Sequence, residues 1–180
     1  MPLIRPSTEQ DIDAITQIYR EHVLHGTGTF EIEPPTAADM TTRRADVLAK
    51  GLPYLVVEDA GRVLGFAYCT WLKPRPAFRF SAEDSIYMES TSHRQGLGRA
   101  LMAELCTQAE RAGVRKLIAV IGDSANTASV GLHQALGFTP VGTIAACGWK
   151  FERWLDIVLM EKPLGLAHTQ APSLGAASKS

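Results

Sequence analysis

The stretch that decides the fold runs from residue 86 to residue 99 and reads Ile86-Tyr87-Met88-Glu89-Ser90-Thr91-Ser92-His93-Arg94-Gln95-Gly96-Leu97-Gly98-Arg99. A strand pattern gives way to a loop with two glycines, and the periodic apolar residues of a helix follow from Leu97. The first N–H groups of a helix have no intrahelical partner and carry a partial positive charge. Glycines allow an anion to approach such a backbone closely. The stretch therefore predicts a cradle for a pyrophosphate group.

Two better-known phosphate loops do not fit this stretch. No Gly-Lys-Ser/Thr follows the loop, as a Walker loop requires, and the three-glycine pattern of dinucleotide-binding proteins is missing. On the two glycines alone, a simple glycine-bearing turn between a strand and a helix is an equal alternative.

On either side of this stretch, hydrophobic periodicity and turn residues predict seven strands and four helices. The strands are expected at residues 3–5, 54–58, 63–71, 85–89, 117–121, 138–144 and 154–160. The helices are expected from Ser7, an N-cap with Gln10 in a capping box, from Thr36 to Gly51, from Leu97 to Gly113 and from Thr127 to Gly137. This order predicts one domain of mixed α/β (α+β) class over residues 1–164 and a disordered polar tail over residues 165–180.

The bulk composition bounds the possible functions. The 180 residues are 46% hydrophobic and 21% charged, as in ordinary globular proteins, and the formal net charge is −1. This charge provides no basic field for nucleic acid or an anionic membrane, and no window approaches the roughly 18 apolar residues of a membrane span. Cys69, Cys106 and Cys147 fit no zinc spacing, and the N-terminus has no apolar signal block. We expect a cytoplasmic protein with reduced thiols and no metal, nucleic acid or membrane partner; a catalytic cysteine stays open as an alternative.

The 86–99 stretch resembles the coenzyme A motif of the GNAT acetyltransferase superfamily, written Gln/Arg-x-x-Gly-x-Gly/Ala. Asn126 and the run Ala135-Leu136-Gly137-Phe138 are similar to its second landmark, in which an Asn begins a short helix that ends in Gly-Phe. His93 stands at the Gln/Arg position, which leaves open whether Arg94 or Arg99 adds positive charge. The resemblance implies a mostly antiparallel central sheet flanked by helices, with coenzyme A held in a splay between central strands.

Further segments resemble the phosphinothricin acetyltransferases and the related methionine sulfone and sulfoximine acetyltransferases. Residues 73–78 match a Lys-x-Arg-x-Ala-aromatic pattern that precedes a Glu, here Glu83. Thr29-Phe30-Glu31 is similar to the N-terminal substrate loop of these enzymes, and Trp154-Leu155-Asp156 to their Trp-x-Asp. This closer resemblance implies a homodimeric enzyme that transfers acetyl from acetyl-CoA to the α-amine of a small amino-acid-like molecule.

The resemblance assigns the cofactor site to three segments. Ile86, Tyr87 and Met88 would lie along acetyl-CoA, with a backbone N–H near Met88 facing the thioester oxygen. The loop and the start of the helix would hold the pyrophosphate, through Arg94, Gln95, Gly96, Leu97, Gly98 and Arg99. Asn126 would bond the pantetheine arm, although an N-cap of the short helix explains the same residue.

Two side chains carry the implied chemistry. Glu83 would act as a general base through a water molecule, with its pKa raised by apolar neighbours such as Phe78 and Ile86. A solvated loop glutamate is the alternative. His133 would protonate the departing thiolate or bond the cofactor sulfur, and a histidine packed on the short helix is its alternative.

The implied acceptor site draws on other segments. Arg75 would pair with a carboxylate, because a guanidinium binds that group in a bidentate manner. Glu31 would face the substrate ammonium, and the pocket walls would be Phe30, Phe78 and Tyr87, although an ordinary strand residue is an equal alternative for Tyr87.

Two rival functions stay open. The first is acetylation of another amine, such as a polyamine, an aminoglycoside or a protein N-terminus; the arginines within residues 73–79 argue against a polyamine. The second is an acyl-CoA sensor without turnover, and the presence of both Glu83 and His133 argues against it.

Overall fold

The computed structural model describes residues 1–92 and 96–172 and shows a seven-stranded sheet with four α-helices against it. The strands are β1 (Leu3–Pro6), β2 (Tyr54–Asp59), β3 (Arg62–Trp71), β4 (Ser81–Met88), β5 (Lys116–Gly122), β6 (Thr139–Lys150) and β7 (Arg153–Pro163). The helices are α1 (Ile12–His25), α2 (Ala37–Ala49), α3 (Leu97–Arg111) and α4 (Thr127–Ala135). The spatial order is β1-β2-β3-β4-β5-β7-β6, and within the described residues only β4 and β5 pair in parallel. The predicted mixed, mostly antiparallel sheet flanked by helices is confirmed.

The sheet opens between β4 and β5. Residues 81–84 of β4 pair with residues 116–119 of β5, and no further pairing between these strands is seen in the described part of the chain. Beyond that point β4 continues along β3 as far as Met88, and β5 continues along β7 as far as Gly122. Backbone groups on the two facing edges are therefore left to bind a ligand.

Both faces of the central sheet are covered. Four successive residues of β2, Tyr54–Val57, are buried, as expected of a strand packed on two sides. The buried apolar stripe of α1, whose residues recur at helical spacing in the sequence, consists of Ile12, Ile15, Ile18, Tyr19 and Val23. That of α3 consists of Leu97, Leu101, Leu105 and Ala109. None of the helices in the described ranges is long and apolar enough to cross a membrane.

Most helix ends follow their sequence signals. Thr36 caps α2 by accepting from the N–H of Asp39. Gly51, Gly113 and Gly137 lie just beyond helix ends with positive φ, the backbone conformation that favours glycine. The second, third and fourth helices therefore end where the sequence predicts.

The capping box predicted for Ser7 and Gln10 is wrong. Thr8 and Asp11 form that box, ahead of a short 3-10 turn, and α1 begins only at Ile12. The Ser7 hydroxyl instead accepts a hydrogen bond from Arg44 Nε at 2.7 Å, a contact between segments 37 residues apart that no local pattern indicates.

Three strands, β4, β6 and β7, are clearly longer than predicted. β4 begins at Ser81 rather than Ser85, so Glu83 lies within the strand, opposite Thr70 of β3, and not in a loop. The adjacent charges of Glu83 and Asp84 hide this start, because a buried strand seldom carries two carboxylates. β6 extends to Lys150, because two irregularities in its pairing with β7 interrupt the alternation that the sequence prediction relies on.

The hairpin between β6 and β7 closes through two residues with left-handed backbone. Phe151 and Glu152 have φ of 53° and 56°, between the paired residues Lys150 and Arg153. Two-residue hairpins with this backbone favour glycine at the second position, because a β-carbon strains it.

We predict that Glu152→Gly stabilises the protein by about 1 kcal/mol, since the strain exceeds the extra backbone entropy that glycine loses on folding. Urea unfolding of the variant and the wild type measures this difference. Glu33→Gly, at an exposed position without positive φ, is the matched control and gains nothing. A lower unfolding midpoint for Glu152→Gly would contradict the strain argument.

Candidate active site

A cavity of about 760 Å³ lies in the splay, which is the gap between β4 and β5 beyond their last paired residues, Asp84 and Ala119. Its walls come from the ends of these strands, the first residues of α3, helix α4 and the loop that follows α1. Eleven of the predicted site residues line it: Phe30, Glu83, Ile86, Tyr87, Met88, Gly96, Leu97, Gly98, Arg99, Asn126 and His133. The structure therefore brings most of the predicted site residues together.

The glycine loop meets the cavity at the start of α3. Gly96 is the N-cap of this helix, with φ of 75°, a conformation that disfavours any side chain. A β-carbon at Gly98 would lie 3.5 Å from Met88 Cγ, so this glycine faces the wall of the splay. Two predicted cofactor residues, Arg94 and Gln95, lie outside the described residues, as does His93.

Glu83 lies half-buried on the wall of the cavity. Burial raises the pKa of its carboxyl, and the neighbouring charge of Asp84 raises it further, while Lys73 acts in the opposite direction. A carboxylate in such a setting binds a proton more readily than one in water. This is the electrostatic behaviour required of a general base.

His133 and Asp84 form a buried pair in the wall of the cavity. His133 Nε2 lies 2.9 Å from Asp84 Oδ2, and Nδ1 lies 2.7 Å from the carbonyl oxygen of Ser129. A carbonyl only accepts, so Nδ1 must donate, and one proton lies between Nε2 and the carboxyl group. Both ring nitrogens thus have partners, which favours the packed histidine; donating a proton to a thiolate would require one of these bonds to break.

The pair retains its proton to a higher pH than an isolated histidine. Burial lowers the pKa of His133, because it disfavours the charged imidazolium. The hydrogen bond to Asp84, the charge of Asp84 and the hydrogen bond to the Ser129 carbonyl raise the pKa by more, so the net shift is upward. Burial likewise raises the pKa of Asp84, partly offset by His133. Because both pKa values are raised, the folded protein keeps one proton on the pair over a pH range in which the histidine of the unfolded chain has lost its proton.

Glu31 already has partners within the protein. Its Oε1 accepts from the Tyr19 hydroxyl at 2.8 Å and from Arg43 at 2.6 Å, and its Oε2 accepts from Arg43 at 3.2 Å. Tyr19 lines the cavity and packs against Tyr87 with ring centroids 4.8 Å apart. The sequence gives Tyr19 as a core residue of α1 and gives no signal for Arg43.

The remaining predicted residues divide between the cavity and the surface. Asn126 caps α4 by accepting from Ser129 N–H at 3.2 Å, so its N-cap alternative is observed, while the residue also lines the cavity. Arg75 is exposed, Phe78 is partly exposed, and neither is among the cavity-lining residues of the described chain. They lie on a tight turn before β4, in which Phe78 N–H donates to the Arg75 carbonyl at 2.9 Å.

Sequence reasoning misses further residues at the cavity. His22 of α1 lines it, with Nε2 2.8 Å from the carbonyl oxygen of Met88. Tyr68 and Ser85 also contribute to the wall. His22 and Met88 are 66 residues apart in the sequence, and no local sequence pattern predicts a contact over that separation.

Comparison with known proteins adds to this geometry. The model of the acetyltransferase (GNAT) family matches residues 14–138. The chain is 47% identical to a phosphinothricin N-acetyltransferase of Alcaligenes faecalis, over 94% of this chain and 86% of the relative. It is 37% identical to an L-methionine sulfoximine/L-methionine sulfone acetyltransferase of Salmonella typhimurium, over 89% and 94%. The crystal structure of a phosphinothricin acetyltransferase from Sinorhizobium meliloti in complex with AcCoA superposes with a TM-score of 0.94 at 40% identity, covering 97% of this chain and 94% of that one.

The His133–Asp84 pair generates a pH prediction. Because the pKa of His133 is raised from 6.5, folding takes up a proton above about pH 6.5, and the stability that the pair contributes falls as pH rises. Asp84→Asn keeps a hydrogen bond to neutral histidine but abolishes this uptake. We expect the difference in the free energy of unfolding between the wild type and Asp84→Asn to shrink from pH 6 to pH 9, which is roughly the range in which histidines of folded proteins titrate.

Urea unfolding at several pH values measures that difference. Asp46→Asn, at an exposed position on α2, serves as the control and shows no such trend. A difference that is constant over the whole pH range would mean that the pair takes up no proton on folding.

Proposed function

The chain belongs to the acetyltransferase (GNAT) family, and from this premise we propose that it acetylates the α-amine of a small amino-acid-like substrate such as phosphinothricin, methionine sulfoximine or methionine sulfone. The enzyme is an acetyl-CoA-dependent N-acetyltransferase. The observation that carries the proposal is the position of Glu83 on the wall of the splay, in a chain 47% identical to a phosphinothricin N-acetyltransferase.

The residues of the splay fit acetyl-CoA. The left-handed Gly96 and the side-chain-free Gly98 leave the N-terminus of α3 open to a pyrophosphate, and Arg99 adds positive charge beside them. The facing edges of β4 and β5 offer backbone groups to the pantetheine arm along Ile86, Tyr87 and Met88. When bound, acetyl-CoA supplies an acetyl group activated as a thioester.

The protein's own groups divide the remaining work. A carboxylate oxygen of Glu83 accepts the proton of the substrate amine, through water, and its raised pKa suits that role. A backbone N–H of β4 near Met88 donates to the carbonyl oxygen as negative charge develops there. His133 forms part of the cavity wall while its nitrogens stay bonded to Asp84 and Ser129.

The acceptor lies on the side of the cavity lined by Phe30 and Tyr87, where Tyr19 and Tyr68 add further aromatic wall. Arg75 is exposed and does not line the cavity, so we propose that its guanidinium attracts the substrate carboxylate from outside the cavity. Phe78 is proposed to contact the substrate from the same turn. Glu31 acts indirectly, by holding Tyr19 and Arg43 in place.

An acceptor panel tests the proposal. Thiol release from acetyl-CoA is measured with phosphinothricin, methionine sulfoximine and methionine sulfone, and with spermidine, kanamycin and a short peptide as rivals. We expect the highest kcat/KM on the amino-acid analogues. Activity confined to the rival amines would overturn the acceptor class, and acetyl-CoA binding without turnover on any amine would favour a sensor.

We also propose that the enzyme is a homodimer that works in the cytoplasm. The edge strand β6, the turn after it and the start of β7 expose apolar side chains: Val141, Ile144, Trp149, Phe151 and Trp154. Trp149 and Trp154 are 55% and 60% exposed, and an exposed apolar patch of this kind is typical of a surface that another protein covers. Free, buried Cys69 and Cys106 are in keeping with a reducing compartment.

Sedimentation equilibrium tests the dimer. The wild type is expected at twice the 19.5 kDa mass of one chain, and Trp154→Glu at a single mass because the charge would be buried in the interface. Glu substitution at exposed Leu3, outside this patch, leaves the mass unchanged. A monomeric wild type would overturn the proposal.

Removal of the proposed base gives a prediction for catalysis. Glu83→Gln keeps the shape of the side chain and removes its basicity, so kcat falls by roughly 10²–10⁴-fold while acetyl-CoA affinity changes little. Steady-state kinetics and calorimetry measure the two quantities, with Glu33→Gln as the surface control. Near-full kcat in Glu83→Gln at neutral pH would place the base elsewhere.

Recognition of the substrate carboxylate gives a prediction for specificity. Arg75→Ala loses most of its activity on phosphinothricin but less on an amide analogue without the α-carboxylate, because only the acid has a partner to lose. Arg79→Ala is the matched control, since Arg79 lies on the same turn and packs over the Phe80 ring at 4.4 Å. Equal losses on acid and amide would remove Arg75 from this role.

A further inference from the structure

A buried cation lies at the end of β6, outside the residues assigned to the site so far. Lys150 is 5% exposed, and its ammonium donates to the carbonyl oxygens of Gly26 at 2.8 Å and Thr29 at 2.9 Å. Burial lowers its pKa, so the charge is held there at an electrostatic cost. The two carbonyls belong to one short loop after α1, which Lys150 ties to the β6–β7 hairpin.

Two glycines show how closely this loop packs on the sheet. A β-carbon at Gly122 of β5 would lie 2.1 Å from the Thr27 carbonyl oxygen. A β-carbon at Gly148 of β6 would lie 2.2 Å from the Phe30 ring. Gly148 and Lys150 are two positions apart on β6 and both face inward. The strand therefore leaves room for the Phe30 ring at Gly148 and provides a hydrogen-bond donor to the loop carbonyls at Lys150.

The loop that is held in this way forms one wall of the active-site cavity. All five residues from Gly26 to Phe30 line it, whereas Lys150 is not among the lining residues of the described chain. Thr29 is fixed from the opposite side by the Tyr19 hydroxyl at 2.9 Å. The loop contains Phe30, which the proposed function assigns to the acceptor side of the cavity, whereas the proposed pyrophosphate cradle is at Gly96.

We propose that Lys150 is a positioning residue that holds the Gly26–Phe30 loop over the cavity and thereby sets the affinity for the acceptor amine without setting that for acetyl-CoA. This inference rests on the proposed function, since it concerns the acceptor side of the same site. An ammonium suits the position because two carbonyl acceptors converge there, and it donates up to three hydrogen bonds while requiring no donor in return.

Steady-state kinetics of Lys150→Met separates positioning from general support of the fold. Displacement of a substrate-positioning segment by an ångström costs up to roughly 10²-fold, so we expect the acceptor KM to rise by about 10- to 100-fold. The KM for acetyl-CoA and the kcat at saturating acceptor stay close to those of the wild type. Lys150→Arg, which also donates without accepting, recovers part of the loss, and Lys116→Met, which breaks the surface pair with Glu161, is the matched control.

A second variant disturbs the loop without touching the cation, and so decides the matter if Lys150→Met does not fold. Gly148→Ala places a methyl group against the Phe30 ring and is expected to raise the acceptor KM in the same direction. Gly142→Ala, on the same strand with open space at its β-carbon, is its control and leaves the KM unchanged. An unchanged acceptor KM in Gly148→Ala, or equal rises for acceptor and acetyl-CoA, would overturn the proposal.

Amide hydrogen exchange provides a readout that needs no substrate. Residues 26–30 are expected to exchange faster in Lys150→Met than in the wild type, while α3 is unaffected. A wild type inactive on every amine would overturn the proposed function alone, and the exchange rate would still decide the anchoring. Faster exchange supports it, and unchanged exchange contradicts it.

Discussion

The structure depends on one interruption of backbone pairing, the end of the β4–β5 ladder at Asp84 and Ala119. Up to that point the two strands hold the halves of the sheet together. Beyond it their edges diverge, and each strand is supported only by its outer neighbour. The cavity, the exposed strand edges and the access of a ligand to Gly96 at the start of α3 all follow from this divergence. A continuous sheet of the same sequence would have no place for a thioester.

Polar side chains around the splay mostly serve to hold its walls. Asp84 and His133 connect β4 to α4, Glu31 connects the loop after α1 to α2, and Lys150 connects that loop to β6. Glu83 differs from the buried Asp84, which is bonded to His133, because its carboxyl is only half-buried on the cavity wall while burial still raises its pKa. The electrostatic arrangement therefore separates a carboxylate suited to proton transfer from the charges that position the walls.

Local signals in the sequence predict the elements well and the site in part. Thr36, Gly113 and Gly137 mark helix ends because capping chemistry acts within a few residues. Gly96 likewise marks the start of α3, where the cradle is proposed. The start of β4 escapes prediction because its carboxylates contradict the pattern of a buried strand. The positions of Arg75 and Lys150 depend on how a turn or a hairpin packs against distant segments of the chain. Lys150 and Gly26, for example, are 124 residues apart. Rules based on local residue spacing cannot predict such contacts.

Binding of acetyl-CoA between the open edges of β4 and β5 can be measured by amide hydrogen exchange with and without the cosubstrate. Saturating acetyl-CoA is predicted to slow exchange at residues 85–88, at residues 120–122 and at the start of α3. Exchange in β2, whose two edges are already paired with β1 and β3, is predicted to stay the same. Binding that is confirmed by calorimetry but leaves the edges of β4 and β5 unprotected would contradict the account.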